Sequence, residues 1–138
     1  MIVRRKRLPA HLAGPFVAFV DVVRHVEAAT AALTESMPST RFAGRPLADA
    51  LAEYEDELSS AAAGMDAWRR ADVEEPWVAA DAGLEEARGL AARVRLEAAD
   101  PAGTEQMIGL IADLLAPLQG FEPAAERFDR LRVRWVKN

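Results

Sequence analysis

The chain contains no cysteine. That absence excludes disulfides, thiolate nucleophiles and every zinc or iron–sulfur site built on sulfur. It has two histidines, His11 and His25, and neither follows a glutamate by three residues, so the Glu-x-x-His pairs of di-iron bundles are missing. No run approaches the ~20 apolar residues of a membrane-spanning helix. The opening "MIVRRKRLPAHLAGPFVAFVDVV" sets a basic run before an apolar one, but Pro15 and Asp21 interrupt the apolar stretch that a secretory leader requires. A soluble, cytoplasmic protein is therefore expected. Strand-type alternation is lacking as well, which leaves no strand for a glycine-rich phosphate loop to follow. Ser36, Ser39, Ser59 and Ser60 stand in no nucleophile-elbow context. These absences predict no cofactor, no metal and no catalytic constellation.

What is present is helical. The 138 residues, 51% hydrophobic and 28% charged, fit one globular domain spanning 1–138, with residues 1–9 as a basic N-terminal arm. A first helix is expected from about Pro15 to Ser36, with Phe16, Phe19, Val20, Val23, Val26, Thr30 and Leu33 on its inner face. "MPSTRFAGRP" reads as a loop. From Pro46 onward, Leu47, Leu51, Tyr54, Leu58, Ala61, Met65 and Trp68 alternate steps of four and three, a heptad seam suited to bundle packing. A third helix, about Pro76 to Ala99, repeats the pattern through Trp77, Ala80, Leu84, Ala87, Ala91, Val94 and Ala98; its small residues invite close approach. In "TEQMIGLIADLLAPLQG", apolar residues cover nearly half the circumference, which predicts the most central helix, ended or kinked at Pro117 and Gly120. A last helix from about Glu122 carries Phe121, Ala125, Phe128, Leu131 and Trp135 as one stripe. The fold predicted is all-α, an antiparallel four-helix bundle with a short additional C-terminal helix.

The stretch "WRRADVEEPW", residues 68–77, raises the possibility of an aromatic-walled site. Trp68 closes one seam and Trp77 opens the next, so a helix–helix corner is the simpler reading. Arg69 and Arg70 suit a helix's carboxyl end, and Glu74 and Glu75 an amino end. The start of the third helix is ambiguous, since Asp72 with Glu75 has capping-box spacing while Pro76 favours a start there. The acidic "EYEDE" supplies no metal site, because Asp49, Glu53 and Asp56 fall opposite the apolar seam and face water.

Charge is unevenly distributed within a net −5. Arg4, Arg5, Lys6 and Arg7 stand without an acid in the first eight residues, and Arg127, Arg130, Arg132, Arg134 and Lys137 crowd the last sixteen. On a continuous last helix, Arg127, Arg130, Arg134 and Lys137 share the face opposite the aromatic stripe. These cations, with the basic arm, form the candidate contacts for an anionic partner. Solvated charge on an outer face and the helix macrodipole account for the same residues without a partner. Nucleic acid is disfavoured because the acidic body repels phosphate. Trp135 and Val136 are candidate contacts of a symmetric dimer, with closure of the bundle's end as the alternative for Trp135. The reading that follows is a non-catalytic helical interaction module, self-associating into a homo-oligomer, with basic termini directed at an acidic partner. Its alternative is a bundle that binds a small apolar ligand in its core, as sensor or carrier.

Overall fold

The heptad seam of residues 47–68 becomes the spine of the protein. In the computed structural model, which describes residues 4–37, 46–97 and 104–136, with side chains over 6–37, 46–97 and 105–133, Leu51, Tyr54, Leu58, Ala61, Met65 and Trp68 are all buried. They lie on α2 (Leu47–Gly64) and the 3₁₀ turn that continues it, Met65–Trp68. α1 (Ala10–Thr34) packs along α2, with Leu12, Pro15, Phe19, Val22, Val26, Ala29 and Leu33 inward. α3 (Glu74–Glu97) buries Trp77, Ala80, Leu84, Ala87 and Ala91. α4 (Thr104–Leu115), a 3₁₀ segment (Ala116–Phe121) and α5 (Glu122–Arg130) complete the chain. The fold is all-α, an antiparallel four-helix bundle with a short C-terminal helix.

Three local expectations are corrected. α1 begins at Ala10, five residues before Pro15. A proline inside a helix loses one hydrogen bond and crowds the residue before it. Here that residue is Gly14, which has no side chain to crowd, and Pro15 is itself buried. Val20, assigned to the inner face, is 40% exposed, because the buried row runs one step round the helix through Phe19 and Val22. α3 begins at Glu74, so Pro76 lies in its first turn, where no N–H is needed.

A further correction concerns α4. It is not central: only Ile111 and Leu114 of its described side chains are buried, and Ile108 is 46% exposed. The place against α3 is taken by the 3₁₀ segment Ala116–Phe121. Two glycines bring these backbones into contact. A Cβ on Gly120 would stand 2.9 Å from the Ala79 carbonyl oxygen, and one on Gly83 would fall inside the Pro117 carbonyl. Pro117 ends the α-helix, and the narrower 3₁₀ segment docks against α3. Pro117 also lacks the N–H that a 3₁₀ turn would direct at the Leu114 carbonyl. The buried Tyr54 hydroxyl donates to that oxygen instead, at 2.6 Å, tying α2 to the end of α4.

The core closes around aromatic rings at one end. Trp68 lies 4.8 Å from Phe19, 6.1 Å from Phe128 and 6.3 Å from Trp77, centroid to centroid. The Trp77 indole N–H donates to the Met65 carbonyl at 2.8 Å, whereas the buried Trp68 indole N–H has no acceptor among the described residues. Rings in direct contact leave no chamber between them for an apolar ligand.

Candidate functional site

The two ends of the chain meet. β1 (Arg4–Arg7) and β2 (Val133–Val136) pair antiparallel, with Arg4 opposite Val136, Arg5 opposite Trp135, Lys6 opposite Arg134 and Arg7 opposite Val133. Local chemistry explains where the strands stop and start. Pro9 precedes α1 in an extended conformation that ends β1. α5 closes at Arg130, where the Leu131 N–H returns to the Arg127 carbonyl and the Arg132 N–H to that of Asp129. The chain then leaves the helix at "VRWV", a β-branched and aromatic run. A lone two-stranded ribbon is marginal in water. This one is anchored at its base, where Leu8 and Leu131 pack against the core and the Arg132 guanidinium lies 5.0 Å from the Phe16 ring centre.

The last helix is therefore shorter than its stripe of apolar residues predicts. Arg134 is not on a helical face with Arg127 and Arg130 but on β2. Trp135 and Val136, the candidate dimer contacts, sit at ribbon positions opposite Arg5 and Arg4. Lys137 lies outside the described residues. The physical reason for the difference is non-local: a helix ending at Arg130 forgoes a few local hydrogen bonds, and β1, more than a hundred residues away in sequence, replaces them. Ala124, not Ala125, is the buried alanine of α5, beside Phe128.

Charge in the ribbon has one sign. Arg4, Arg5, Lys6, Arg7 and Arg134 occupy five of its eight positions, and no acid occupies any. The register places positions 4, 6, 134 and 136 on one face and positions 5, 7, 133 and 135 on the other. Lys6 and Arg134 hold directly opposed register positions. Lys6 and Arg7 are exposed. Arg130 is exposed on the neighbouring α5, whereas Arg127 is half-buried and donates to the Asp72 carbonyl at 3.2 Å. Arg127 therefore fastens α5 to the α2–α3 corner. Arg132, besides covering Phe16, approaches Asp129 at 3.8 Å.

Residues 68–77 form that corner. Trp68 and Trp77 are both buried, and Arg69 covers the outer side of Trp77 with its guanidinium 4.0 Å from the ring centre. Arg69 also bonds Glu74 at 2.6 Å. That hydrogen bond holds the Glu74 carboxyl below its ordinary range and raises the Arg69 guanidinium. The cluster is thus a closed contact between helices.

Three further ion pairs join separate elements. His25 Nδ1 lies 2.7 Å from Glu57 between α1 and α2, His11 lies 3.1 Å from Asp72, and Arg95 lies 3.4 Å from Glu55. Asp49, Glu53 and Asp56 are exposed. Among the described residues, no group of three His, Asp or Glu side chains is arranged to hold a metal ion, and no helix is long and apolar enough to cross a membrane.

A feature of α1 went unread in the sequence. Its outer surface carries a second row in heptad spacing, Gly14, Val17, Asp21, Arg24, Ala28 and Ala31, with Val17 69% exposed. A shallow depression of about 510 Å³ on this side is lined wholly by α1 residues, among them Gly14, Val17 and Val20. The signal was available as the regular 3–4 spacing, masked by the stronger row of larger residues on the opposite face.

Comparison with protein-family models, with curated proteins and with solved structures finds no match to this chain.

Proposed function

We propose that the protein is a non-catalytic helical interaction module that self-associates by helix-face packing and uses its paired basic ends to contact an acidic partner. The observation that carries this reading is the joining of both cationic termini into one ribbon on an otherwise acidic chain. Lys6 and Arg134 hold opposed register positions, so a carboxylate-bearing partner seated on that face meets two cationic positions together. An acidic protein surface is favoured over a nucleic acid because a compact carboxylate patch can meet the ribbon alone, whereas an extended run of phosphates also meets the acidic body of a chain of net charge −5.

The test is fluorescence anisotropy with a labelled polyglutamate peptide at low and high salt. Binding should weaken at least tenfold as salt rises, because exposed charges are screened within about 8 Å at physiological ionic strength. Replacing Arg4, Arg5, Lys6 and Arg7 together by serine should abolish it. Equal binding by this variant would overturn the role of the ribbon. Tighter binding of a duplex DNA of equal charge would redirect the reading to nucleic acid.

A further inference from the structure

We infer that the outer face of α1 is the self-association surface, pairing antiparallel with the same face of a second copy about a two-fold axis between Asp21 and Arg24. This rests on the self-association proposed above and names the surface and the register that it uses.

The row itself dictates the geometry. In an antiparallel pair centred between residues 21 and 24, Gly14 faces the partner's Ala31, Val17 faces the partner's Ala28, and Asp21 faces the partner's Arg24. Every layer sets a small residue against an equal or larger one, or an acid against a base. Gly14, Ala28 and Ala31, the small members of the row, let the ends of the two helices approach towards the short end of the usual 8–10 Å interaxial range. Gly14 would accept the closest contact, since even a Cβ there meets nothing within 4 Å of its own chain. Charge selects the antiparallel sense. A parallel pair would bring Asp21 against Asp21 and Arg24 against Arg24, which is repulsive on both counts. Within one chain the contacts of Asp21 are loose, 4.0 Å to Arg24 and 3.9 Å to His25, and the Asp21 and Arg24 side chains are largely exposed to a partner.

The exposed valines supply the apolar share. Val17 and Val20, 69% and 40% exposed, lie beside each other one turn apart on the helix. The same antiparallel sense brings the basic end preceding α1 of one copy to the carboxyl end of the partner's α1. Glu35 and the helix's outward carbonyls make that end negative. Ribbon and helix face thereby act in one assembly.

Size sets the strength. The 25 residues of α1 span about 37 Å, and a helix about 11 Å wide offers a footprint of about 400 Å². This is about half of what a standard interface buries on each partner, so the dimer is weak and transient.

The test uses the absence of native cysteine. V17C and A28C each introduce a single thiol at an accessible position. In the inferred dimer, residue 17 of one copy faces residue 28 of the other, while like residues lie about 16 Å apart along the axis, beyond disulfide reach. Mild oxidation of a mixture of V17C and A28C should give a covalent dimer, and neither variant alone should do so. Comparable cross-linking of V17C with itself would overturn the register. Charge reversal gives a second readout: D21R and R24D should each weaken dimerisation about tenfold, and the D21R/R24D double variant should recover it. A wild-type protein that dimerises while the mixture stays unlinked and the single reversals change nothing would refute this surface and leave self-association standing. A monomer at every concentration would remove both.

Discussion

Gly83→Ala is the sharpest test of how the bundle is assembled. By helix propensity alone the change is favourable, because alanine is preferred to glycine in a helix interior by ~1 kcal/mol. At Gly83, however, the added Cβ falls inside contact distance of the Pro117 carbonyl oxygen and 3.3 Å from its carbon. The obstacle is backbone, so no side chain can rotate away. Relief requires the segment Ala116–Phe121 to lift from α3, which loosens Leu118 and Phe121 in the core and strains the Tyr54 bond to Leu114. Overpacking of this kind costs ~1–3 kcal/mol or more, which outweighs the propensity gain. Gly89 stands in the same helix, exposed, with nothing within 4 Å of an added Cβ. Gly89→Ala should therefore stabilise the protein by up to ~1 kcal/mol, and Gly83→Ala should destabilise it by at least ~1 kcal/mol. In a chain of this length each kcal/mol moves Tm by about 3–5 °C, well resolved by thermal denaturation followed by circular dichroism. Equal stabilisation by both substitutions would refute the backbone contact between α3 and the 3₁₀ segment.

Other consequences follow from named contacts. Tyr54→Phe leaves the Leu114 carbonyl without its donor and should cost ~1–3 kcal/mol in urea denaturation; an unchanged midpoint would show that the bond carries nothing. Burial also pushes the Tyr54 phenol above its ordinary value of 10.0, so in alkali the folded chain holds a proton that the unfolded chain releases. Stability should hold below about pH 10 and fall above it by up to ~1.4 kcal/mol per pH unit, a limb absent from Tyr54→Phe. Tyr54 is the single tyrosine, so ultraviolet titration of the phenolate reads the same event without interference. Trp77→Phe removes the donor to the Met65 carbonyl and should destabilise by ~1–3 kcal/mol in the same denaturant assay, where an unaltered midpoint would dismiss the bond. Arg127→Ala should lower Tm by a few degrees with little effect on binding to polyglutamate, because its guanidinium is engaged with Asp72; a binding loss as large as that of the arm variant would place it in the partner site instead.

Much of the bundle is legible from spacing because its strongest signals are local. α2 and α3 bury the rows that their 3–4 spacing marks, from Leu51 to Trp68 and from Trp77 to Ala91. The corner between them is legible for the same reason. What spacing does not show is competition between elements. Residues 104–118 have enough apolar arc for a central helix, but Pro117, Gly120 and Gly83 together give that place to a 3₁₀ segment. No one of these residues signals the outcome alone. The termini show the same limit. Leu131 and Trp135 fit a helical period, and Val133 and Trp135 equally fit alternation. The choice between them is made by pairing with Arg4–Arg7 at the other end of the chain. The cations of the candidate site are evident in the sequence, but their grouping is not: Arg134 joins the arm, and Arg127 turns inward to Asp72. Pairing of the two basic ends is what turns two separate charge clusters into one surface.

The most direct measurement of the account is sedimentation equilibrium of the unmodified protein from micromolar to millimolar concentration. The account predicts a reversible monomer–dimer equilibrium, with a dissociation constant that rises with added salt as Asp21 and Arg24 are screened. A single 15.0 kDa species at every concentration and salt would contradict it.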